Sequence, residues 1–182
     1  MKMNKPLILV INDDGISAPG IRKLISIMND FGNVVVVAPE GPQSGMGHAI
    51  TINATLRCDK VVIDDGPQIE YAVSGTPVDC VKLAVNQILE RKPDLCVSGI
   101  NHGSNSSINV IYSGTMSAAV EGALEEIPSI GFSLLDFSHD ADFSEGEQYI
   151  RKITASVVEN GLPNGVCLNV NIPKTKQDEK IK

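Results

Sequence analysis

Short unbroken aliphatic runs alternate along this chain with segments in which apolar residues recur every three to four positions. Leu7–Ile11 and Asn33–Ala38, the latter containing Val34-Val35-Val36-Val37, read as buried strands. Asp94–Ser98, Ser129–Leu134 and Val166–Asn171 are strands of the same kind. Helical periodicity is predicted over Ala18–Phe31, from Thr76 to the stop at Pro93, from Ser113 through Leu124, and over Phe143–Asn160. The second helix opens on Thr76-Pro77-Val78-Asp79, where Thr76 is a capping hydroxyl, Pro77 suits the first turn and Asp79 completes a capping-box pattern. Its apolar stripe is Val81, Ala84, Val85, Ile88 and Leu89. Ile50–Arg57, Lys60–Ile63 and Ile69–Val73 are shorter and more polar, and are predicted as antiparallel or edge strands. Aliphatic strands without polar alternation, separated by helices, predict a doubly wound α/β domain: a mainly parallel sheet with helices on both faces. Ligands of such folds bind beyond the carboxyl ends of the strands.

Composition narrows this picture. A length of 182 residues predicts one domain, expected over residues 1–173, with 174–182 a polar tail. Hydrophobic residues make up 42% and aromatics 4%, with no Trp, so the core is aliphatic. No apolar run approaches the roughly 18 residues of a membrane span, so no membrane association is expected. Met1–Pro6 leads directly into Leu7–Ile11, too short a run for a signal-peptide core, and the expected location is cytoplasmic. Cys58, Cys80, Cys96 and Cys167 form no C-x-x-C pair; the last three sit among aliphatic residues and are expected to be buried reduced thiols. A net charge of −7 argues against binding a nucleic-acid duplex. An acidic protein that handles phosphate needs local positive potential from a metal or from backbone N–H groups.

Four segments carry candidate chemistry. Asn12-Asp13-Asp14-Gly15 follows the first strand, and adjacent carboxylates there can share a hard cation such as Mg²⁺; the same residues also make a good turn. Pro39–His48 follows the second strand, with glycines at 41, 45 and 47 and a neutral oxygen at Ser44; His48 is either a proton donor or a structural residue. Gly99-Ile100-Asn101-His102-Gly103-Ser104-Asn105 follows a third strand, and the Asn101 oxygen can ligate a cation while its amide donates to phosphate. His102 has no second histidine at metal-site spacing. Tyr112-Ser113-Gly114-Thr115 opens a helix, whose unpaired N–H groups and dipole suit an anion. The first turn N-D-D-G-I-S lacks the G-x-G-x-x-G of a nicotinamide dehydrogenase and the D-x-D of a haloacid-dehalogenase-like phosphatase.

Together Ile8–Gly20, Val37–Thr51, Ser74–Val85 and Pro93–Gly122 resemble the SurE (survival protein E) family of metal-dependent nucleotidases, and the resemblance runs to about Pro173. It implies a Rossmann-like fold and a phosphatase of 5′- or 3′-nucleoside monophosphates. It also implies one divalent cation, Mg²⁺ or Mn²⁺, per subunit, held by Asp13, Asp14, Ser44 and Asn101. Asp13 and Asp14 would be catalytic; Asn101, Asn105, Ser113, Gly114 and Thr115 would contact substrate phosphate. The partner implied is a nucleoside monophosphate, and the assembly a homodimer or homotetramer. The chain departs from the family at Ser107 and Asn109, where glycine and aspartate are usual, and the family's oligomer-building C-terminal segment is expected to be absent. The alternative function is a non-catalytic nucleotide-binding or stress-regulatory protein.

Overall fold

The computed structural model describes residues 5–138 and 140–174, so residues 175–182 of the expected tail and residues 1–4 of the leading segment lie outside it. The strands are β1 (Leu7–Ile11), β2 (Asn33–Pro39), β3 (Cys58–Val61), β4 (Ile69–Val73), β5 (Leu95–His102), β6 (Ser129–Leu135) and β7 (Cys167–Pro173). They form one sheet in the order β3-β4-β2-β1-β5-β6-β7. Every pairing is parallel except β3 with β4. The chain starts in the middle and winds outward both ways, so a topological switch lies between β1 and its neighbours.

Alternate side chains of the aliphatic runs feed two cores. Ile8, Val10, Val34 and Val36 pack with Leu24 and Met28 of α1 (Pro19–Met28) and with Ile150 and Val157 of α5 (Glu147–Asn160). On the other face Leu9, Ile11, Val35 and Val37 pack with Cys80 and Val81 of α2 (Pro77–Leu83) and with Ala118 of α4 (Gly114–Leu124). Each fully buried aliphatic side chain contributes about 1.5–3 kcal/mol, so the double-sided burial of β1 and β2 makes them the anchor of the domain. The capping box at Thr76 forms with both of its hydrogen bonds, and α2 then passes into one wider π turn at Ala84–Ile88. Arg22 on α1 clamps the otherwise buried Glu70 of β4 in a bidentate pair, Nη1–Oε2 2.6 Å and Nη2–Oε1 2.8 Å.

Several expectations change. Ile50–Arg57 is not a strand: Thr51 is drawn to Asp79 through its N–H at 3.1 Å and its hydroxyl at 2.6 Å, and Ile52 is 78% exposed. The next strand lies at Cys58–Val61 rather than Lys60–Ile63, and is the antiparallel edge. β5 continues past the predicted end at Ser98 to His102, because Asn101 and His102 pair with Ser133 and Leu134 of β6 after a register shift. The following loop holds a short helix, α3 (Asn109–Tyr112). All four cysteines are free thiols, but Cys167 is only half-buried and Cys58 exposed. Burial pushes the Cys96 thiol up to about 12. No described helix is long and apolar enough to cross a membrane.

Candidate functional site

The carboxyl ends of β1, β2 and β5 converge on a cleft of about 330 Å³ lined by Asp13, Asp14, Ser44, Asn101, Asn105 and Ser113. A larger cleft of about 470 Å³ lies elsewhere, walled by Leu7, Val35, Ile69 and Tyr71 among others, and contains none of the predicted site residues. We assign the chemistry to the smaller one, because only there do carboxylates and neutral oxygens face one space.

Asp13 is the deepest group, 2% exposed. Its Oδ1 accepts a 2.5 Å hydrogen bond from the Thr115 hydroxyl on α4. Gly114 permits this approach, since a Cβ there would lie 2.6 Å from Asp13 Cβ and 3.0 Å from Oδ2. Burial raises the Asp13 pKa, opposed by the Thr115 hydroxyl and by backbone hydrogen bonds, including those from Thr115 and Gly114. The anion that the first turn of α4 meets is therefore the protein's own Asp13 carboxylate. The Thr115 hydroxyl proton is spent on Asp13, and the Ser113 hydroxyl accepts from Met116 N–H at 3.0 Å, leaving its own proton to donate.

Asp14 is half-buried and reaches further into the cleft. Desolvation and the neighbouring Asp13 charge push it up to about 6, offset in part by His102 and by the Ser44 hydroxyl. Asn101 donates from Nδ2 to Gly103 O at 2.8 Å, which turns its Oδ1 toward Thr115, 3.5 Å from that hydroxyl. Gly99 just upstream has φ +126°, and a Cβ there would strike Phe132 O at 2.4 Å, so the irregular end of β5 that presents Asn101 requires glycine.

Ser44 is carried on a long loop that is tied down repeatedly. Gln43 N–H donates to Asp13 O at 2.7 Å and Gly47 N–H to Tyr112 O at 3.2 Å. His48 Nε2 lies 2.8 Å from Oε2 of buried Glu121, which also takes Lys82 Nζ at 2.5 Å. His48 thus braces the loop against α4 and is not among the residues lining the cleft. Asn105 lines the cleft but uses an amide proton on Ser133 Oγ at 2.9 Å, and its backbone is held by Asn169 and Asn171 on β7. One amide proton remains for a ligand. Ser107 adopts φ +55°, the left-handed conformation that favours the glycine expected at that place.

The structure therefore gathers Asp13, Asp14, Ser44, Asn101, Asn105 and Ser113 around one space and sets Gly114 and Thr115 behind Asp13. Sequence reasoning set His102 aside as a metal ligand and gave Asn109 and Tyr112 no role in the site, yet all three line the cleft. The available signal was the position of His102, directly after a presumed ligand at a strand end. Among the described residues no group of three or more His, Cys, Asp and Glu is placed to hold a metal ion by itself, and the cleft lining holds no lysine or arginine. Two carboxylates with neutral oxygens and no lysine or arginine partner suit a hard divalent ion.

Residues 8–182 match the family model described as Survival protein SurE. The chain is 66% identical over 177 residues to the 5′-nucleotidase SurE of Flavobacterium psychrophilum, covering 97% of this chain and 69% of that protein. It is 68% identical over 179 residues to the 5′-nucleotidase SurE of Flavobacterium johnsoniae, covering 98% and 69%. The crystal structure of the SurE protein from Aquifex aeolicus superposes with a TM-score of 0.85 at 41% identity, over 96% of this chain and 68% of that one.

Proposed function

The chain belongs to the survival protein SurE family, and from that premise we propose that it is a metal-dependent phosphatase releasing phosphate from nucleoside monophosphates. One observation of this structure carries the reading furthest: a buried and a half-buried aspartate, adjacent in the chain, face a cleft whose lining holds no lysine or arginine to neutralise them. Asp13, Asp14, Ser44 and Asn101 would hold one Mg²⁺ or Mn²⁺ per subunit. When bound, that ion supplies positive charge that polarises phosphoryl oxygens and acidifies water.

The remaining work falls to the chain. Thr115 and the α4 amides fix the Asp13 carboxylate before substrate arrives, so no reorganisation is needed during reaction. The Ser113 hydroxyl and the free amide proton of Asn105 donate to equatorial phosphate oxygens. Asp14, the more accessible carboxylate, orients the attacking water in line with the departing nucleoside oxygen; phosphoryl transfer asks chiefly for such positioning. The family resemblance supports a homodimer or homotetramer, to which exposed Ile108, Ile111 and Phe137 offer apolar surface. Free thiols at all four cysteines accord with a cytoplasmic setting.

Phosphate release from a panel of 5′- and 3′-nucleoside monophosphates, with Mg²⁺ or Mn²⁺ and with excess chelator, tests the reading. Metal-requiring release is expected. Nucleotide binding without release under either metal would replace it with a non-catalytic, nucleotide-sensing role.

A further inference from the structure

β7 closes one edge of the sheet, and its residues alternate. Leu168, Val170 and Ile172 turn to the core shared with α1 and α5, so Asn169 and Asn171 turn to the opposite face. Most polar side chains bond to backbone or water rather than to each other. These two asparagines instead close a ring with Asn105. Asn105 N–H donates to Asn171 Oδ1 at 2.9 Å, Asn171 Nδ2 to Asn169 Oδ1 at 2.8 Å, and Asn169 Nδ2 to Asn105 O at 2.9 Å. Each side chain in the ring must accept and donate at once, which a carboxamide does and a carboxylate does not. Ser133, fully buried and opposite Asn171 in the β6–β7 register, accepts from Asn105 Nδ2 at 2.9 Å. Asn105 is thus held by its N–H, its C=O and its side chain, in a stretch whose other side-chain hydrogen bonds are local.

We propose that Asn169 and Asn171 are positioning residues for the substrate phosphate, acting through Asn105; the proposal rests on the nucleotidase reading above. A carboxamide is planar and its two N–H bonds diverge at a fixed angle. Once one of them is given to Ser133, the other has a set direction for as long as the Asn105 backbone cannot turn. The ring stops it turning. A donor of the cleft is thereby tied to β7, 64 and 66 positions further along the chain. Neither β7 asparagine lines the cleft, so neither meets the substrate itself. The competing role is that the ring merely fastens the loop to the sheet. The two roles differ in one respect: a fastening acts whatever side chain residue 105 carries, whereas aiming requires the Asn105 amide.

Asn171→Ala should lower kcat/KM for AMP by roughly tenfold or more, the worth of a hydrogen bond to a charged group. Mn²⁺ binding in calorimetry should stay within about twofold, the scatter expected of independent sites. Asn169→Ala, at an exposed position of an edge strand, should behave alike. The deciding measurement is the double-mutant cycle with Asn105→Ala, which keeps the N–H and C=O that the ring holds and removes the amide that it aims. In that background Asn171→Ala should cost less than about twofold further. Losses that multiply in the double variant would overturn the proposal in favour of a fastening. So would unchanged kcat/KM in both β7 variants, or a loss of Mn²⁺ affinity as large as the loss of kcat/KM. If the wild type hydrolyses no AMP, the nucleotidase reading fails. The same cycle is then read by binding of inorganic phosphate to the Mn²⁺-loaded protein, and a wild type that binds no phosphate would overturn the positioning role as well.

Discussion

The floor and the rim of the cleft are built to opposite standards. On the floor Asp13 is 2% exposed and Thr115 fully buried, and each is fixed by a partner far away in the chain. On the rim, residues 104–112, α3 has no buried residue, and Ile108, Ile111 and Tyr112 are 59%, 61% and 59% exposed. Apart from those at Asn105 its side-chain hydrogen bonds are local, such as Ser104 Oγ to Ser106 Oγ at 2.7 Å, and Ser107 sits in the left-handed region. The difference separates two needs. Charges that stabilise a transition state must be in place beforehand, so they are set where strand ends and a helix terminus over-determine them. Surfaces that adapt to a ligand or a neighbouring copy are carried on chain that costs little to move.

The contrast breaks most severely at Asp14 and Gly114. Asp14→Asn should cost well over a hundredfold in kcat, more than the roughly 10–100-fold typical of a supporting partner, while circular dichroism stays native. Gly114→Ala should cost about as much, because its Cβ would displace the Asp13 side chain at 2.6 Å; retained turnover in either variant would mean the floor is not the catalytic element. Thr115→Val keeps the shape and removes the donor to Asp13. It should weaken Mn²⁺ binding by roughly 10–100-fold, read by isothermal titration, with a smaller loss in kcat at saturating metal.

Acid should sharpen the comparison more gently. Asp14 is raised from 3.8 to about 6, so lowering the pH from 7 to 5 sets a proton against the cation and should weaken Mn²⁺ binding by about tenfold. The sign for stability follows from the same shift. Between 3.8 and about 6 the metal-free fold binds more protons at Asp14 than the unfolded chain does. That contribution is present at low pH and is lost as pH rises through about 6. Added Mn²⁺ should therefore raise the melting temperature more at pH 7.5 than at pH 5, and an equal rise would contradict the assignment. The smallest effect belongs to the rim. Ser107→Gly removes left-handed strain of ~1–2 kcal/mol and adds ~0.5–1 kcal/mol of unfolded-state entropy, for a net gain of at most ~1.5 kcal/mol in denaturant titration.

Local signals made much of this legible. The valine run of β2, the Thr76–Asp79 capping box and the Ser113 cap on α4 each declare themselves within a few residues, because burial period and capping chemistry are local. What misled was pairing between distant segments. Ile50–Arg57 has the alternation of a strand but no partner, since Asp79 captures Thr51 first. β5 overruns Ser98 only because β6 lies alongside it. In the site, the paired aspartates could be read as a metal centre or a turn; which first turn they faced, and that the Thr115 hydroxyl would be given to Asp13, depended on α4 packing against the end of β1. The His48 brace on Glu121 was hidden for the same reason.

The bond between Asp13 and Thr115 joins residues 102 positions apart. Its ring encloses β2, β4, α2 and β5, and loop closure over such a span is repaid only after those parallel strands have paired. The floor of the cleft consequently forms late on any folding route, and a chain arrested at β1 and β2 alone carries both aspartates with nothing to hold them. On the proposed reading of the site, catalytic competence is a report on the whole sheet: an intermediate that has recovered its helices but not the β1–β5 junction would score as folded by circular dichroism and as blind to the cation.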